Sequence, residues 1–292
     1  RQRPIEEVVE EFKVIREKYV LVVDDNLVGT RPEHIARAKN LFRRMVQADL
    51  RKKWIAQATI NFADDEELLT LAAQAGCRGV FIGFESPTPE GLRELGKKFN
   101  LSKERDFPAS VRRIQQHNIL VVGSFILGLD IDEPGIGKRI AEAAELYGVD
   151  NLNTLFLTPL PGTRLWDQMK MEDRIALDSF PKDWKYYTLT YPVAKYKHLS
   201  PEEALTEMLA CEQDFYSLPS ILRRVWGNFW GRRQPLTSLV GNLSYRSNLR
   251  MSHKAYADFR NKHSIRHNAG SRQPEIGETH DYQMVIREEY HQ

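Results

Sequence analysis

The sequence predicts an α/β fold: a partial (β/α) TIM-like barrel of parallel strands, followed by a mostly α-helical C-terminal extension. Short apolar runs of strand length alternate with stretches of helical periodicity, and the links between them are short. The runs are also apolar throughout, which is typical of strands in a parallel sheet that is covered on both faces. With 292 residues, 41% of them hydrophobic, the chain can bury a core of this size.

The first predicted elements are a helix and a strand that ends in polar residues. Apolar residues at helical spacing over 5–15 predict an amphipathic helix, with Pro4 suited to its first turn. The apolar run over 18–23 predicts the first strand, and Thr30 and Pro32 predict the start of a second helix. Further strands are predicted at 54–60, 79–84, 119–130 and 152–157.

Local motifs predict where the intervening helices begin and end. Asp64 and Glu67 resemble a capping box for the third helix, and Gly76 fits its C-terminal end. Thr88 begins the next helix. Because no strand precedes the opening helix, one strand upstream of Arg1 is the simplest completion of a six-stranded partial barrel.

Three regions are expected along the chain. Residues 1–170 form the partial barrel, truncated at its N-terminus. Residues 171–267 form an extension rich in helix and aromatic residues, with a helix that begins at 200–203. Residues 268–292 are polar and are expected to be a disordered tail.

Composition narrows the classes of function. The net charge is +2, so no specific nucleic-acid binding is expected. Two distant cysteines fit a reducing, cytoplasmic compartment, and no signal peptide or membrane-spanning run is recognised. Residues 221–267 carry ten Lys or Arg against one acid, with aromatic residues interleaved. This segment is either a solvated helical face or a peripheral contact with an anionic membrane.

Polar residues lie at or near the ends of four predicted strands. They are Asp24, Asp25 and Asn26 after the first strand, Gln57 within the second, Glu85 after the third and Asp130 after the fourth. The carboxyl ends of barrel strands meet at one mouth, where barrel enzymes place their chemistry. Clustered carboxylates can hold a metal, orient an ammonium group or act as acid and base. The alternative for Asp24 and Asp25 is that they only cap the following turn.

Glycines, prolines and cysteines suggest further features. Gly123 and Gly128 in the fourth strand indicate close approach of either a ligand or a packed neighbour. The Pro-Leu-Pro-Gly-Thr stretch from Pro159 predicts either a rigid pocket rim or a plain turn. Cys77 and Cys211 are expected to pack in the core. No zinc or iron–sulfur spacing occurs, so no metal ligand is predicted within the chain.

Several motifs, taken in order, resemble the radical S-adenosylmethionine enzymes, specifically the class with an N-terminal cobalamin-binding domain. These motifs are Arg-Pro-Ile-Glu-Glu-Val-Val-Glu-Glu, Val-Val-Asp-Asp-Asn, Ala-Gln, Gly-Phe-Glu-Ser, Phe-Ile-Leu-Gly and Pro-Leu-Pro-Gly-Thr. The resemblance covers residues 1 to about 170, and 180–225 are similar to the class's C-terminal extension.

The resemblance implies a set of residues that bind S-adenosylmethionine. Asp24, Asp25 and Asn26 match the position that meets the methionine amino group. Gln57 and Glu85 match polar positions that face the ribose and carboxylate. The implied adenine-side residues, on the fourth strand and after the last, are Ile126, Gly128, Leu157 and Pro159, and Ser124 on the fourth strand is a further implied cofactor-binding residue. No catalytic residue is assigned.

The resemblance also implies cofactors and partners of a full-length parent. A [4Fe-4S] cluster would be held by a Cys-x-x-x-Cys-x-x-Cys loop before Arg1, and cobalamin by the N-terminal domain. Their ligands are not in this chain, so the chain alone is expected to be inactive. The parent is expected to perform methyl transfer or related radical chemistry on a small-molecule or lipid-like substrate, with an electron donor.

Two other functions stay open. The chain could be a degenerate, non-catalytic binding or scaffold domain. It could also be a barrel metallohydrolase that uses Asp24, Asp25, Glu85 and Asp130. The metallohydrolase hypothesis is weakened because no histidine lies at a strand end, and catalytic zinc normally binds histidine.

Overall fold

Five parallel strands in consecutive order form a curled half-barrel, which confirms the predicted fold class. The structure is a computed structural model and describes residues 2–97, 105–231 and 235–269. The strands are β1 (Tyr19–Leu21), β2 (Lys53–Ala58), β3 (Cys77–Glu85), β4 (Leu120–Leu127) and β5 (Asn151–Phe156). The barrel helices are α1 (Ile5–Val14), α2 (Pro32–Gln47), α3 (Glu66–Gln74), α4 (Pro89–Glu94), α5 (Phe107–Gln116), α6 (Ile136–Tyr147) and α7 (Arg164–Met171). The extension contains α8 (Pro201–Phe215), α9 (Leu218–Gly231) and α10 (Pro235–Ala269).

The helices cover the convex face of the sheet, where the main core lies. The Phe42 ring on α2 lies 5.4 Å from the Trp54 ring on β2. The Trp54 indole N–H donates to the Ala75 carbonyl at 2.8 Å, which leaves the buried indole satisfied. Phe84 on β3 stacks on Phe125 of β4. Apolar side chains from every second strand position thus bind the helices to the sheet.

Some predicted helix starts are displaced. The N-cap of α2 is Arg31 and makes no side-chain cap bond, so the prediction of Thr30 as the cap was wrong. The α3 cap is Asp65, whose carboxylate accepts from the Leu68 N–H. Thr88 caps α4 as predicted.

Helix α7 begins directly after the Pro-Leu-Pro-Gly-Thr turn and was not predicted from the sequence. Thr163 caps it by accepting from the Trp166 N–H. The charged interval 97–106, which the sequence predicts as a loop, lies largely outside the described residues, since 98–104 are not described.

The extension packs against the last strand and α6. Ser200 and Glu203 form the capping box of α8, as the sequence predicts. The Glu207 carboxylate on α8 accepts from the Gly135 and Gly137 N–H groups at the start of α6, each at 2.8 Å. These bonds satisfy donors that a helix N-terminus leaves unpaired.

The far end of the extension is the long helix α10. It continues to Ala269, and the rest of the predicted tail, 270–292, lies outside the described residues. No helix in the described ranges is both long and apolar enough to cross a membrane.

Strand β1 lies at one edge of the sheet. Within the described ranges it pairs with β2 alone. The side chains on and just after this strand are largely exposed: Tyr19 by 70%, Leu21 by 61% and Val23 by 82%. A groove of about 700 Å³, lined by α1, α2 and β1, opens beside it. An exposed apolar edge strand is a template for pairing with a second chain.

We predict that Leu21→Lys reduces self-association of the 292-residue chain, because a charge on an edge strand opposes edge-to-edge pairing. Sedimentation velocity across a concentration series measures the effect. Leu146→Lys, on an exposed α6 position, is the matched control. A wild-type chain that stays monomeric and melts sharply and reversibly would contradict the prediction.

Candidate functional site

One face of the curled sheet is open. Successive side chains of a strand point to opposite faces, so residues two apart share a face. Gln57 on β2 is paired in register with Phe81 on β3, and Gly83 on β3 is paired with Ser124 on β4. Gln57 is exposed and Phe81 and Ser124 are half-buried, unlike their convex-face neighbours. The register therefore brings the predicted residues Gln57 and Ser124 to one concave face.

The same face continues across β4 and β5. Ser124 is paired with Asn153, and Ile126 with Leu155. All four side chains are half-buried. Together with Gln57 and Phe81 they form what we call the concave strip. Phe81, Asn153 and Leu155 were not predicted from the sequence, although two-residue alternation from Glu85 could have found Phe81, and alternation from Leu157 could have found Leu155 and Asn153.

Glu85 lies at the rim of the concave strip in an unusual backbone conformation. Its φ is 71°, and the Ser86 N–H donates to the Phe84 carbonyl at 2.9 Å. The carboxylate folds back over Gly83, where a Cβ would lie 2.5 Å from Oε1. Oε1 also pairs with Lys97 Nζ at 2.8 Å. A left-handed conformation costs a residue with a side chain about 1–2 kcal/mol, and such strain clusters at functional sites.

The residues after β1 divide into two roles. Asp24 and Asp25 are exposed and make no hydrogen bond or ion pair with any other described residue. The Asn26 side chain accepts from the Gly29 N–H at 3.0 Å and donates to Thr59 at 3.4 Å. Asn26 therefore holds the turn, whereas Asp24 and Asp25 are accessible to a ligand.

The predicted adenine-side residues Gly128 and Pro159 are buried, and Leu157 is half-buried. Gly128 has a φ of 99°, and a Cβ there would lie 2.5 Å from the Tyr196 ring. The Tyr196 hydroxyl donates to the Leu157 carbonyl at 3.3 Å. The glycine at 128 is thus required by packing of the extension. A contact of these three residues with adenine stays a prediction.

A buried carboxylate supports the Gly128 turn. Asp132 Oδ2 accepts from the Gly128 N–H at 2.8 Å and from the Leu129 N–H at 2.9 Å. Its Oδ1 is buried without a partner in the described part of the chain. Burial raises the pKa of Asp132 to about 6. Asp132 was not predicted from the sequence, although an Asp four residues after a turn glycine could have indicated it.

Asp130 forms ion pairs that fix the extension to the end of β4. Its carboxylate pairs with Arg174 Nη2 and Lys197 Nζ, each at 2.5 Å. Despite partial burial, these two cations hold the pKa of Asp130 below its usual value. Among the described residues, no three His, Cys, Asp or Glu side chains are grouped to hold a metal ion. The carboxylates of the metallohydrolase hypothesis therefore do not form a ligand set.

Neither cysteine fits a ligand of an iron–sulfur cluster. Cys77 and Cys211 are both fully buried and unpaired as disulfides. Burial raises the pKa of each thiol to about 12. A cluster ligand must be a thiolate, which this burial strongly disfavours.

The concave strip has the chemistry of a site for a polar, flat molecule. Phe81, Ile126 and Leu155 supply apolar surface, as a base would need. Gln57, Ser124 and Asn153 supply donors and acceptors, as a sugar would need. The Glu85 carboxylate at the rim of the strip suits an ammonium group.

Comparison with known proteins identifies a set of methyltransferases. The chain is 31% identical over 159 residues to the hopanoid C-2 methylase of Rhodopseudomonas palustris, covering 54% of this chain and 30% of that protein. It is 27% identical over 233 residues to the bacteriochlorophyllide d C-12(1)-methyltransferase of Chlorobaculum tepidum, covering 78% and 48% respectively. An uncharacterised methyltransferase of Pyrococcus horikoshii is 26% identical over 222 residues, covering 76% and 47%. The chain thus spans half or less of the length of these relatives. No family model matches the chain.

Solved structures share the fold. The radical S-adenosylmethionine methyltransferase TsrM of Kitasatospora setae, with cobalamin and a [4Fe-4S] cluster bound, matches with a TM-score of 0.57 and 18% identity. The match covers 88% of this chain and 57% of TsrM. The cobalamin-dependent S-adenosylmethionine radical enzyme OxsB matches with a TM-score of 0.50 and 13% identity, covering 89% and 46%.

The contact between Gly128 and Tyr196 leads to a stability prediction. Gly128→Ala should lower the free energy of unfolding by about 2–5 kcal/mol, through the positive φ and the clash with the ring. Gly135→Ala is the matched control, since Gly135 has a φ of 95° with nothing within 4 Å of the added Cβ. It should cost only about 1–2 kcal/mol. Urea unfolding measures both, and equal losses would contradict the packing role of Tyr196.

Proposed function

Because the chain is related to the cobalamin-dependent class of radical S-adenosylmethionine enzymes, we propose that it supplies the S-adenosylmethionine-binding half-barrel of a methyltransferase acting on a small molecule. The observation that carries the proposal is the concave strip, with the strained Glu85 carboxylate at its rim. S-adenosylmethionine, when bound, supplies the methyl group and, with a [4Fe-4S] cluster and cobalamin, the radical chemistry. The residues of this chain bind and orient it.

Each part of the ligand has a matching part of the strip. Ile126 and Leu155 would hold the adenine on their apolar surface. Gln57 and Ser124, whose side chains reach the same face, would bond to the ribose hydroxyls. The Glu85 carboxylate at the rim would bind the methionine ammonium.

In contrast to S-adenosylmethionine, the [4Fe-4S] cluster has no fitting ligand in Cys77 or Cys211, because both thiols are buried. Cluster ligands would have to be other residues than the two cysteines of this chain. We therefore propose that the 292 residues bind S-adenosylmethionine but do not cleave it by themselves.

Calorimetric titration with S-adenosylmethionine tests the binding role. Ser124→Tyr fills the strip and should weaken binding about tenfold or more, with no loss of fold since Ser124 is half-buried. Glu85→Gly should also weaken binding, yet raise the free energy of unfolding by about 1 kcal/mol by relieving the positive φ. Leu146→Tyr, outside the strip, should bind as wild type. Unchanged affinity in a folded Ser124→Tyr variant would refute the proposed site.

A second proposal concerns the predicted membrane contact of 221–267. Leu218, Leu222 and Trp226 lie at four-residue spacing on α9 and are exposed by 52%, 64% and 66%. Residues four apart share a helix face, so this apolar stripe can enter a lipid headgroup region. Arg223 is exposed beside it and suits an anionic surface.

Arg224, in contrast, does not face the membrane. Its Nη2 donates to the Phe215 carbonyl at 2.8 Å and to Asn242 at 2.7 Å, and its guanidinium lies 3.8 Å from the Phe215 ring centroid. Burial lowers the pKa of Arg224 to about 10. The basic segment is therefore not a uniform cationic surface.

We predict that Leu222→Glu weakens binding to vesicles of mixed neutral and anionic phospholipid about fivefold or more, because it places a charge in the apolar stripe. Vesicle co-sedimentation measures the bound fraction. Met171→Glu, on the exposed side of α7, is the control. Binding that is unchanged in Leu222→Glu, or equally lost in Met171→Glu, would contradict a role for α9.

A further inference from the structure

A second cavity lies at the outer edge of β5, on the side away from β4. Its volume is about 330 Å³, and its walls come from β5, the chain at 190–191, Glu212 of α8 and the middle of α10. We call it the β5-edge recess. Asn153 and Leu155 of the concave strip also line it, so the recess adjoins the proposed S-adenosylmethionine site, whereas its walls from Glu212, Tyr191 and α10 lie outside that strip.

The recess contains a carboxylate without a partner. Glu212 Oε2 is buried and makes no hydrogen bond within the described part of the chain. No Lys or Arg there forms an ion pair with it. Burial raises the pKa of Glu212 to about 7. An unpaired buried carboxylate is costly, so a ligand that neutralises it would gain from this arrangement.

Aromatic rings form the opposite walls, and their positions are fixed. Tyr191 lies 5.9 Å from Tyr256 and 5.1 Å from Phe259 between ring centroids. Tyr245 stacks on Tyr216 at 5.4 Å, with the ring planes 8° apart. Burial and the neighbouring Glu212 carboxylate raise the pKa of Tyr256, so its hydroxyl stays protonated. Fixed tyrosine faces attract cations through their negative π surfaces.

The strand edge inside the recess is also polar. The Tyr216 hydroxyl accepts from the Leu152 N–H at 2.9 Å and donates to the Leu152 carbonyl at 2.8 Å. The Phe156 N–H donates to the Leu189 carbonyl at 2.8 Å. By strand alternation, the main-chain groups of Thr154 face the same edge between these two anchors. The Thr154 carbonyl is therefore a further acceptor for an N–H donor.

From the unpaired Glu212 carboxylate, the fixed tyrosine rings and the strand edge, we infer that the β5-edge recess binds the ammonium group of a small organic amine. The carboxylate and the Thr154 carbonyl accept its N–H bonds, and the rings contact its alkyl part and charge. A volume of about 330 Å³ admits an alkylammonium of a few carbons.

Titration of the 292-residue chain with n-butylammonium chloride tests the inference, and 1-butanol serves as the neutral isostere. We expect the ammonium to bind about tenfold or more tightly than the alcohol. Shifts in the NMR spectrum measure the binding of each probe. Glu212→Gln keeps the shape, removes the charge and should abolish this preference. Asp214→Asn, an exposed acid on the same helix, should leave it unchanged.

Ala255→Leu provides an independent variant, because Ala255 lines the recess and a larger side chain fills it. It should weaken binding of both butylammonium and butanol while Glu212 stays in place. Equal affinity for the two probes in the wild-type chain would overturn the inference. So would an ammonium preference that survives Glu212→Gln or is lost equally in Asp214→Asn.

Discussion

The two-residue alternation of parallel strands is the constraint on which the candidate site depends. One set of side chains, including Trp54, Phe84 and Phe125, must face the helices to bury the core. The other set is then forced to a common concave face, whatever its chemistry. That set combines apolar, amide and hydroxyl side chains, which explains why polar groups such as Gln57 and Ser124 are tolerated inside a sheet. The core and the candidate site thus both follow from the same alternation of side chains along the strands.

The extension is structurally part of the half-barrel. Tyr196 packs on Gly128, Arg174 pairs with Asp130, and the Tyr216 hydroxyl satisfies the edge of β5. These contacts fix the carboxyl ends of β4 and β5, where the adenine-side residues were predicted. Polar groups of the strand ends therefore divide between stabilising the scaffold, as with Asp130 and Asn26, and lying at the rim of the concave strip, as with Glu85.

Much of the fold could be predicted from the sequence, because continuous apolar runs and caps such as Ser200 are local features. The sequence did not predict which strand side chains face the helices and which face the concave side. An apolar run such as 79–84 has no alternation of polar and apolar residues to mark the two faces. The conformation of Glu85 depends on a register slip between β3 and β4, which no local motif indicates.

Other features depend on contacts between distant segments. Glu212 looks like an ordinary helical acid until α10 is packed against it. Arg224 looks like one more surface cation, although the α10 residue Asn242 helps to bury it. Family motifs located candidate residues, and only the packing separated those that reach the concave strip from those that hold the turns.

The most direct measurement is amide hydrogen exchange of the 292-residue chain with and without saturating S-adenosylmethionine. If the concave strip is the binding site, slower exchange should concentrate in 55–58, 83–86, 124–128 and 153–155, with α10 and the groove beside β1 unaffected. Protection confined to α1 and α2, or no protection at a concentration where calorimetry shows binding, would contradict the account.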